Sequence, residues 1–221
     1  MGLLARSICE KHLENKMKPV KLFPMFLKLT ARPCLVVGAG NIAEAKIASL
    51  LEADARVRVV ALEATQPIRS WAQSTKIEWN QRPFQPSDLE EMFLVVAATS
   101  SAKLHEQIFE EAVRRGVLCN IVDVPELCDF YYPAVVQRGA LQIAISTAGQ
   151  SPALAQRLRK ELEEQFGPEY EEWLEHLGDA RDKLFAAKLD PEERKRLLHE
   201  QANEEAFDAF RRIQGGSKHS A

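Results

Sequence analysis

The sequence predicts an α/β fold in which a parallel-sheet domain is followed by a small α+β segment and a helical domain. Three observations support this prediction. Short apolar runs alternate with helical patterns through residues 33–122, glycines close the first run, and the alternation stops near Tyr131, where long helical patterns begin. The predicted segments are an extension at 1–20, the sheet domain at 21–130, the α+β segment at 131–167, the helical domain at 168–214 and a disordered tail at 215–221.

The first predicted strand lies in residues 33–40, where consecutive apolar residues are followed by two glycines. Such a run is typical of a strand that is covered on both faces. From Ile42 to Leu51 the apolar spacing becomes helical. The later elements of this half are strands at 57–62, 93–98 and 117–122 and a helix at 103–115 that ends at Gly116. Strands that alternate with helices indicate a parallel sheet with right-handed crossovers.

The pattern of the second half begins with two short β-like runs, Ala134–Val136 and Leu141–Ile145, around a turn. Ser151 then stands where an N-cap is expected, directly before a proline at the first helical position. A second helix follows Pro168. The last helix is predicted to begin at Asp190 and to continue without interruption beyond residue 210.

The composition is that of an ordinary globular protein, with 221 residues, 46% hydrophobic and 28% charged. The net charge of −3 provides no general attraction to nucleic acid or anionic lipid. No apolar run approaches the roughly 18–20 residues that span a bilayer, and the start is not expected to be a signal peptide. We therefore expect a cytoplasmic protein with no nucleic-acid partner and no membrane partner.

The four cysteines provide no framework for a disulfide or zinc site. Cys9, Cys34, Cys119 and Cys128 form no C-x-x-C pair, and two of them lie inside apolar strand-like runs. The five histidines show no metal-ligand spacing. Reduced, largely buried thiols are the expected state.

The turn after the first strand fits the dinucleotide-binding pattern G-x-G-x-x-G/A at residues 38–43. Gly38 permits the tight turn, and Gly40 lets the backbone approach a diphosphate that a Cβ would block. The amides of Asn41 and Ile42, at the start of the helix, point towards the phosphates. Strand, turn, helix and second strand together predict a Rossmann-like domain. The alternative is a glycine-rich turn that binds nothing.

The end of the second strand indicates the choice of cofactor. Glu63 lies 23 residues after Gly40, near the position where an acidic side chain binds the ribose hydroxyls of NAD. The nearest arginine that follows is Arg69, six residues on, so no basic residue adjoins Glu63 to favour a 2′-phosphate. NAD is therefore preferred to NADP, although a solvated Glu63 without a ligand is the alternative.

The candidate catalytic residue is Asp123, which directly follows the strand predicted at 117–122. In open α/β sheets the ligand crevice lies at the carboxyl ends of the strands. A carboxylate at that position can act as a general base or hold a cation. The equally weighted alternative is that Asp123 only caps the turn before Pro125.

These residues resemble the precorrin-2 dehydrogenase family, the NAD-dependent module of siroheme synthases. The resemblance covers about Leu22 to Leu162 and includes a stretch that an ordinary nucleotide-binding domain does not carry. The four matching places are Leu22-Phe23-Pro24, Val37-Gly38-Ala39-Gly40-Asn41-Ile42-Ala43 with Lys46, Cys119-Asn120-Ile121-Val122-Asp123, and Phe130-Tyr131-Tyr132-Pro133-Ala134 through to Ala144-Ile145-Ser146-Thr147-Ala148-Gly149-Gln150-Ser151-Pro152.

The resemblance implies oxidation of precorrin-2 to sirohydrochlorin, with the hydride passed to NAD⁺. Asp123 matches the aspartate that is implicated in dehydrogenation and, in members that insert Fe²⁺ as a substrate metal, in ferrochelation. The residues assigned to the cofactor are Gly38, Gly40, Asn41, Ile42, Leu62, Glu63 and Thr99. The residues expected to border the tetrapyrrole are Ser146, Thr147, Gly149 and Ser151.

The resemblance also implies partners. Family members are homodimers, and residues 131–167 correspond to their dimerisation segment. The methylation of uroporphyrinogen III is expected from a separate methyltransferase that acts upstream. Arg138, Arg157 and Arg159 are further candidates for binding substrate carboxylates, with a plain surface role as the alternative for each. Gln150 departs from the family, which often has a basic residue there.

Two other functions stay open at this stage. The protein could be an NAD-dependent dehydrogenase that acts on some other small acid, but that function would not explain the turn at residues 146–152. It could also be an NAD-binding sensor, in which Asp123 is structural and the helices contact a partner. Whether an NAD-dependent member of the family also inserts iron is not decided by the residues.

Overall fold

The computed structural model describes residues 20–217 and divides into two compact units, one through Tyr132 and one from Pro133. The predicted boundary between residues 130 and 131 falls two residues before this division, and the finer division at 167 stays a prediction. The extension predicted at 1–20 lies outside the described residues except for its last residue. Within the described part, no helix is both long and apolar enough to cross a bilayer.

The first unit is built on a five-stranded parallel sheet with the order β3-β2-β1-β4-β5, which confirms the predicted Rossmann-like fold. The chain winds outward from β1 in one direction and then returns to the other side of β1. The strands are β1 (Pro33–Val37), β2 (Arg56–Val60), β3 (Ile77–Asn80), β4 (Leu94–Ala97) and β5 (Leu118–Ile121). The helices are α1 (Asn41–Glu52), α2 (Gln66–Gln73) and α3 (Ala102–Arg115), with short 3₁₀ turns at Pro86–Leu89 and Pro125–Leu127.

Strand β1 is buried on both faces because a separate apolar cluster covers each side of the sheet. Val36 faces the cluster that contains Ala43 and Ile47 of α1. Leu35 faces the cluster that contains Ile108 of α3. Alternate residues of β1 therefore need to be apolar on both sides, which explains the uninterrupted apolar run in the sequence.

The structure adds one strand and one helix that the sequence pattern did not reveal, β3 and α2. Strand β3 is at the edge of the sheet and is only four residues long, with Ile77 buried and Glu78 exposed. Four residues are too few to show a period of two clearly. The indole Nε1 of Trp79 donates to the Ala61 carbonyl at 3.1 Å and so ties β3 to the end of β2.

The second unit contains a β-hairpin and four helices. The elements are β6 (Ala134–Arg138), β7 (Leu141–Ile145), α4 (Pro152–Gln165), α5 (Glu169–Ala186), α6 (Pro191–Gln201) and α7 (Glu204–Ser217). The predicted N-caps are confirmed: Ser151 accepts from the amide of Leu154 at 3.2 Å, and Asp190 accepts from that of Glu192 at 3.0 Å. An aromatic cluster that includes Trp173, Phe207 and Phe210 joins α5 to α7.

The prediction of one continuous last helix is wrong, because the chain breaks between α6 and α7. Asn203 stands at the break, and its Oδ1 accepts from the amide of Ala206 at 2.8 Å. A side chain that caps a new helix competes with continuation of the old one. Helix α7 then runs to Ser217, through the first residues of the segment 215–221 that the sequence assigned to a tail, since a glycine-containing helix end can still propagate its backbone hydrogen bonds. The last four residues lie outside the description.

Candidate active site

The turn between β1 and α1 requires glycine at position 38. Gly38 has a φ of +102°, and its amide donates to the Val60 carbonyl at 2.9 Å. A Cβ on this residue would lie 2.3 Å from the carbonyl oxygen of Ala98. The turn therefore contacts the end of β4. It lies between β1 and β4, where the chain changes the direction in which it adds strands to the sheet. Ligands of open α/β sheets bind in the crevice at this point.

Gly40 is at the N-cap of α1, where the described backbone and its neighbours do not require a glycine. Its φ of −86° suits any residue, and a Cβ built there meets nothing within 4 Å. Packing within the described residues therefore does not explain a glycine, whereas a diphosphate held against the bare backbone does. No described side chain caps the first amides of α1, where Asn41 and Ile42 lie. The turn thus fits a dinucleotide.

Two large apolar side chains beside this turn are exposed to solvent. Ile42 is 55% exposed and Leu62 is 61% exposed, and both are positions that the sequence assigns to the cofactor. Glu63 follows Leu62 and is also exposed. The loop that carries Leu62 and Glu63 is fixed to the turn, since the Thr65 amide donates to the Ala39 carbonyl at 3.0 Å. Leu62 and Glu63, which the sequence assigns to the cofactor, therefore adjoin the residues assigned to the diphosphate.

Thr99 lies on the opposite side of the same turn, after β4. Its Cγ2 is 3.3 Å from the Cβ position built on Gly38. The buried ring of His105 donates from Nε2 to the Thr99 carbonyl at 2.9 Å and so holds this loop. The sequence alone does not predict a role for His105. Its only sequence signal is a polar residue on the apolar side of α3.

Asp123 is exposed in the turn that follows β5, with a φ of +63°. Left-handed backbone is uncommon for residues other than glycine and marks a conformation that the surrounding structure must impose. The predicted position of Asp123 at the carboxyl end of a parallel strand is correct. Its catalytic role stays a prediction.

A set of hydrogen bonds closes the loop that carries Asp123. The buried amide of Asn120 donates from Nδ2 to the Phe130 carbonyl at 2.8 Å. The Cys128 thiol, which has one proton to donate, lies within hydrogen-bond distance of two carbonyl oxygens, that of Ile121 at 3.2 Å and that of Val124 at 3.3 Å. Both ends of the loop are therefore tied to β5, and the loop presents Asp123 at its outer edge.

We expect Asn120→Ala to lower the free energy of unfolding by about 1–3 kcal/mol, because it leaves the partly buried Phe130 carbonyl without its donor. Urea denaturation followed by circular dichroism measures this change. Asn80→Ala is the matched control, since the Asn80 amide bonds only a solvent-exposed Glu78 carboxylate on the edge strand. Equal losses in the two variants would contradict a special role for Asn120.

Lys46 is half-buried on α1, and its Nζ lies 3.5 Å from the centroid of the Tyr132 ring. Burial lowers the pKa of Lys46, while the negative charge of Asp123 opposes that shift. Desolvation raises the pKa of the Tyr132 hydroxyl to about 12, so this ring stays neutral. The charge of Asp123 therefore acts on the Lys46 ammonium. In the sequence, Lys46 is part of the resemblance but carries no predicted role.

The described cysteines are free thiols, as predicted, and Cys9 lies outside the described residues. Burial raises the pKa of Cys34 to about 11 and that of Cys119 to about 12. Both therefore stay protonated and unreactive near neutral pH.

The predicted substrate-bordering residues lie together in one turn of the second unit, between β7 and α4. Their side chains stabilise the turn itself. Ser146 accepts from the Ala148 amide at 3.1 Å, Thr147 accepts from the Ser151 amide at 3.2 Å, and Ala148 and Gly149 have left-handed φ values of 51° and 79°. Three hydroxyls of the turn are thus used in backbone bonds, including that of Ser151 as an N-cap. Contact with a substrate stays a prediction for this turn.

The arginines proposed as substrate ligands have structural partners. Arg138 donates from Nε to the Phe166 carbonyl at 2.8 Å and from Nη2 to the Glu163 carbonyl at 3.0 Å, at the C-terminal end of α4. Arg157 pairs with Glu161, and Arg159 pairs with Glu163. The guanidinium of Arg138 therefore stabilises the negative end of the α4 dipole. Substrate contact by any of the three arginines stays a prediction, with a surface role as the alternative.

Comparison with known proteins gives matches to two family models, to curated siroheme synthases and to a solved structure. A family model described as putative NAD(P)-binding matches residues 25–134, and one described as sirohaem biosynthesis protein central matches residues 138–165. A siroheme synthase from Nitrosococcus oceani is 39% identical over 144 residues, which cover 65% of this chain and 31% of that protein. Siroheme synthase 1 from Pectobacterium atrosepticum is 40% identical over 161 residues, which cover 73% of this chain and 34% of that protein.

A solved structure of SirC, a precorrin-2 dehydrogenase, superposes with a TM-score of 0.75 at 25% sequence identity. The match covers 84% of this chain and 92% of that chain. By contrast, the chain spans about a third of the length of the curated relatives that it matches.

Proposed function

Because this chain belongs to the siroheme synthase family, through its NAD(P)-binding and central modules, we propose that it oxidises precorrin-2 to sirohydrochlorin with NAD⁺. One observation supports the activity above the others. The match covers 92% of a precorrin-2 dehydrogenase but only 31% and 34% of the two siroheme synthases. The region that this chain shares with the longer proteins therefore has the extent of a precorrin-2 dehydrogenase.

In this proposal the β1–α1 turn holds the cofactor. The amides of Asn41 and Ile42 bind the diphosphate above the uncovered backbone of Gly40. Leu62 and Ile42 cover the adenosine with the apolar surface that they expose. Glu63 accepts from the ribose hydroxyls, and Thr99 borders the crevice on the β4 side.

Asp123 supplies the proton chemistry. Oxidation of the macrocycle removes a hydride and a proton, and bound NAD⁺ supplies the hydride acceptor. A carboxylate oxygen of Asp123 takes the proton, since this side chain is exposed at the carboxyl end of β5, on the edge of the sheet where the crevice lies. The loop closed by Asn120 and Cys128 keeps the carboxylate in position.

We expect the protein to use NAD⁺ in preference to NADP⁺, with a KM lower by about 10-fold or more, because the Glu63 carboxylate would repel a 2′-phosphate. Steady-state kinetics with each cofactor measures the ratio. Glu63→Ser should narrow the difference between the two KM values, because serine binds the ribose hydroxyls of NAD⁺ less tightly and does not repel the 2′-phosphate of NADP⁺. Tighter use of NADP⁺ by the wild-type protein would contradict the assignment.

The proposal includes a cytoplasmic homodimer. An exposed apolar segment at residues 20–27 supports a self-association surface, since Phe23 is 80% exposed, Phe26 is 68% exposed and Met25 is 62% exposed. Residues 131–167 stay the predicted dimerisation segment.

The cytoplasmic location is supported by the cysteines, since the free thiols of Cys34, Cys119 and Cys128 fit a reducing compartment. Supply of the substrate by a separate uroporphyrinogen III methyltransferase stays a prediction.

Iron insertion into the product stays open as a second activity, with Fe²⁺ as the substrate metal and Asp123 as its transient ligand. Among residues 20–217, no three side chains of the types His, Cys, Asp or Glu group as a metal site. The macrocycle would therefore supply most of the ligands. Adding Fe²⁺ or Co²⁺ to sirohydrochlorin without NAD⁺ tests this activity.

The function is tested by mixing the purified protein with precorrin-2 and NAD⁺ under anaerobic conditions and recording the absorbance spectrum. We expect the reaction to form sirohydrochlorin and one equivalent of NADH. Cofactor binding without turnover would favour the NAD-binding sensor. Turnover of a small hydroxy acid in place of precorrin-2 would favour another dehydrogenase.

A further inference from the structure

The ammonium of Lys46 lacks a carboxylate partner. It has no ion pair within 4 Å among the described residues, although the structure records ten such pairs elsewhere. Half-buried lysines normally pair with an acid or extend to solvent. Lys46 instead rests 3.5 Å from the centroid of the Tyr132 ring. A cation held on an aromatic face keeps its charge and still has free N–H donors.

Tyr132 is itself held in place, so the ammonium has a defined position. The Tyr132 ring packs against the apolar cluster that includes Ala43 and Ile47 of α1. The Tyr132 ring also contacts the Phe130 ring, with centroids 5.8 Å apart. Phe130 is tied by its carbonyl to Asn120, which closes the Asp123 loop. The same short segment therefore positions both the lysine and the candidate general base.

The electrostatics connect the two residues. The Asp123 charge acts on Lys46, yet the two side chains form no ion pair within 4 Å. Because the two side chains form no ion pair, the Lys46 ammonium can still bind an anionic ligand. Such a ligand would carry an anionic group for Lys46 and a removable proton for Asp123.

We propose that Lys46, held on the ring of Tyr132, is a substrate-binding residue that takes one carboxylate of the tetrapyrrole beside Asp123. This inference rests on the proposed function, whose substrate carries several carboxylates around a macrocycle. A charge-assisted bond at a half-buried site both strengthens binding and fixes the orientation of the ring. Lys46 thereby sets which part of the macrocycle faces Asp123.

The diphosphate of the cofactor offers the same anionic chemistry, and the geometry favours the substrate. Lys46 lies five residues after the start of α1, about 7.5 Å along the helix axis from the amides that face the diphosphate. The negative charge that acts on Lys46 is that of Asp123, the candidate general base.

The experiment compares Lys46→Met and Lys46→Arg with the control Lys76→Met, which removes an exposed lysine before β3, at the opposite end of the sheet. Three quantities are measured: the KM for precorrin-2, the Kd for sirohydrochlorin by absorbance titration, and the Kd for NAD⁺ by fluorescence. We expect Lys46→Met to raise the first two by about 10- to 100-fold and to leave the third unchanged. Lys46→Arg, which keeps the charge and the ring contact, should stay within a few-fold of wild type.

Two outcomes would overturn the inference: unchanged affinity for sirohydrochlorin in Lys46→Met, or a raised Kd for NAD⁺, which would assign Lys46 to the phosphates. If Lys46→Met does not fold, Lys46→Gln provides the neutral variant and the same criteria apply. Failure of the proposed function is distinguished because it would appear as no turnover in the wild-type protein. The titration with sirohydrochlorin decides the role of Lys46 independently of turnover.

Discussion

Asp123→Asn will lower kcat for precorrin-2 oxidation by about 10²–10⁴-fold and leave the Kd for NAD⁺ unchanged. The amide cannot accept the proton that the carboxylate takes. Cofactor binding survives because Asp123 follows β5, whereas the amides that bind the diphosphate follow β1. Stopped-flow absorbance measures turnover, and fluorescence titration measures NAD⁺ binding.

Asparagine is the informative replacement because of the backbone at this position. Asp123 has a φ of +63°, which asparagine adopts readily and alanine adopts at a cost of about 1–2 kcal/mol. Asp123→Ala should therefore lose the same activity and also some stability, so the two variants separate chemistry from strain. A wild-type kcat in Asp123→Asn would show that Asp123 only shapes its turn.

Alanine substitutions at the two glycines of the β1–α1 turn will affect different properties: Gly40→Ala will weaken cofactor binding, and Gly38→Ala will lower stability. Gly40→Ala should unfold at the same urea concentration as wild type, because φ is ordinary and the Cβ meets nothing within 4 Å. Its Kd for NAD⁺ should rise by about 100-fold or more, since the methyl group occupies the space of the diphosphate. Isothermal titration calorimetry measures this loss.

Gly38→Ala should instead unfold more easily, by about 3 kcal/mol or more. The new Cβ would lie 2.3 Å from the Ala98 carbonyl oxygen at a φ of +102°, so the end of β4 must move. Urea denaturation without cofactor measures the loss. Undiminished NAD⁺ affinity in Gly40→Ala would show that the turn does not hold the diphosphate, whatever the result at Gly38.

The parallel sheet could be predicted from the sequence because burial on both faces leaves a strong local signal. Strand β1 needs apolar residues throughout, and Gly116 ends α3 in the left-handed conformation that its identity suggested, with φ of 68°. The edge strand β3 has one solvent-facing side and four residues, so its pattern is weak. The break at Asn203 depends on one capping bond, which the apolar spacing of the last helices does not encode.

In the candidate site, too, the residues that could be predicted are those with a local sequence pattern, and the others depend on tertiary contacts. Gly38, Gly40 and Asp123 could be assigned because glycine spacing and the end of a strand are visible along the chain. His105, Asn120 and the Lys46–Tyr132 pair were not assigned. The pair joins residues 86 positions apart, and Asn120 acts on a loop end ten residues away. Contacts of this kind depend on how the elements pack, which residue type alone does not reveal.

Arg138 illustrates a structural contact that residue type alone does not reveal. An arginine near a substrate-bordering turn suggests a carboxylate ligand. The fold places it against the C-terminal carbonyls of α4, where it has a structural role.

A crystal structure of the protein with NAD⁺ bound shows whether the β1–α1 turn is the cofactor site. We expect the diphosphate on the amides of Asn41 and Ile42, the adenosine ribose at Glu63 and the nicotinamide in the crevice on the Asp123 side. Density for the dinucleotide elsewhere on the molecule, with the surface of Gly40 bare, would contradict this assignment.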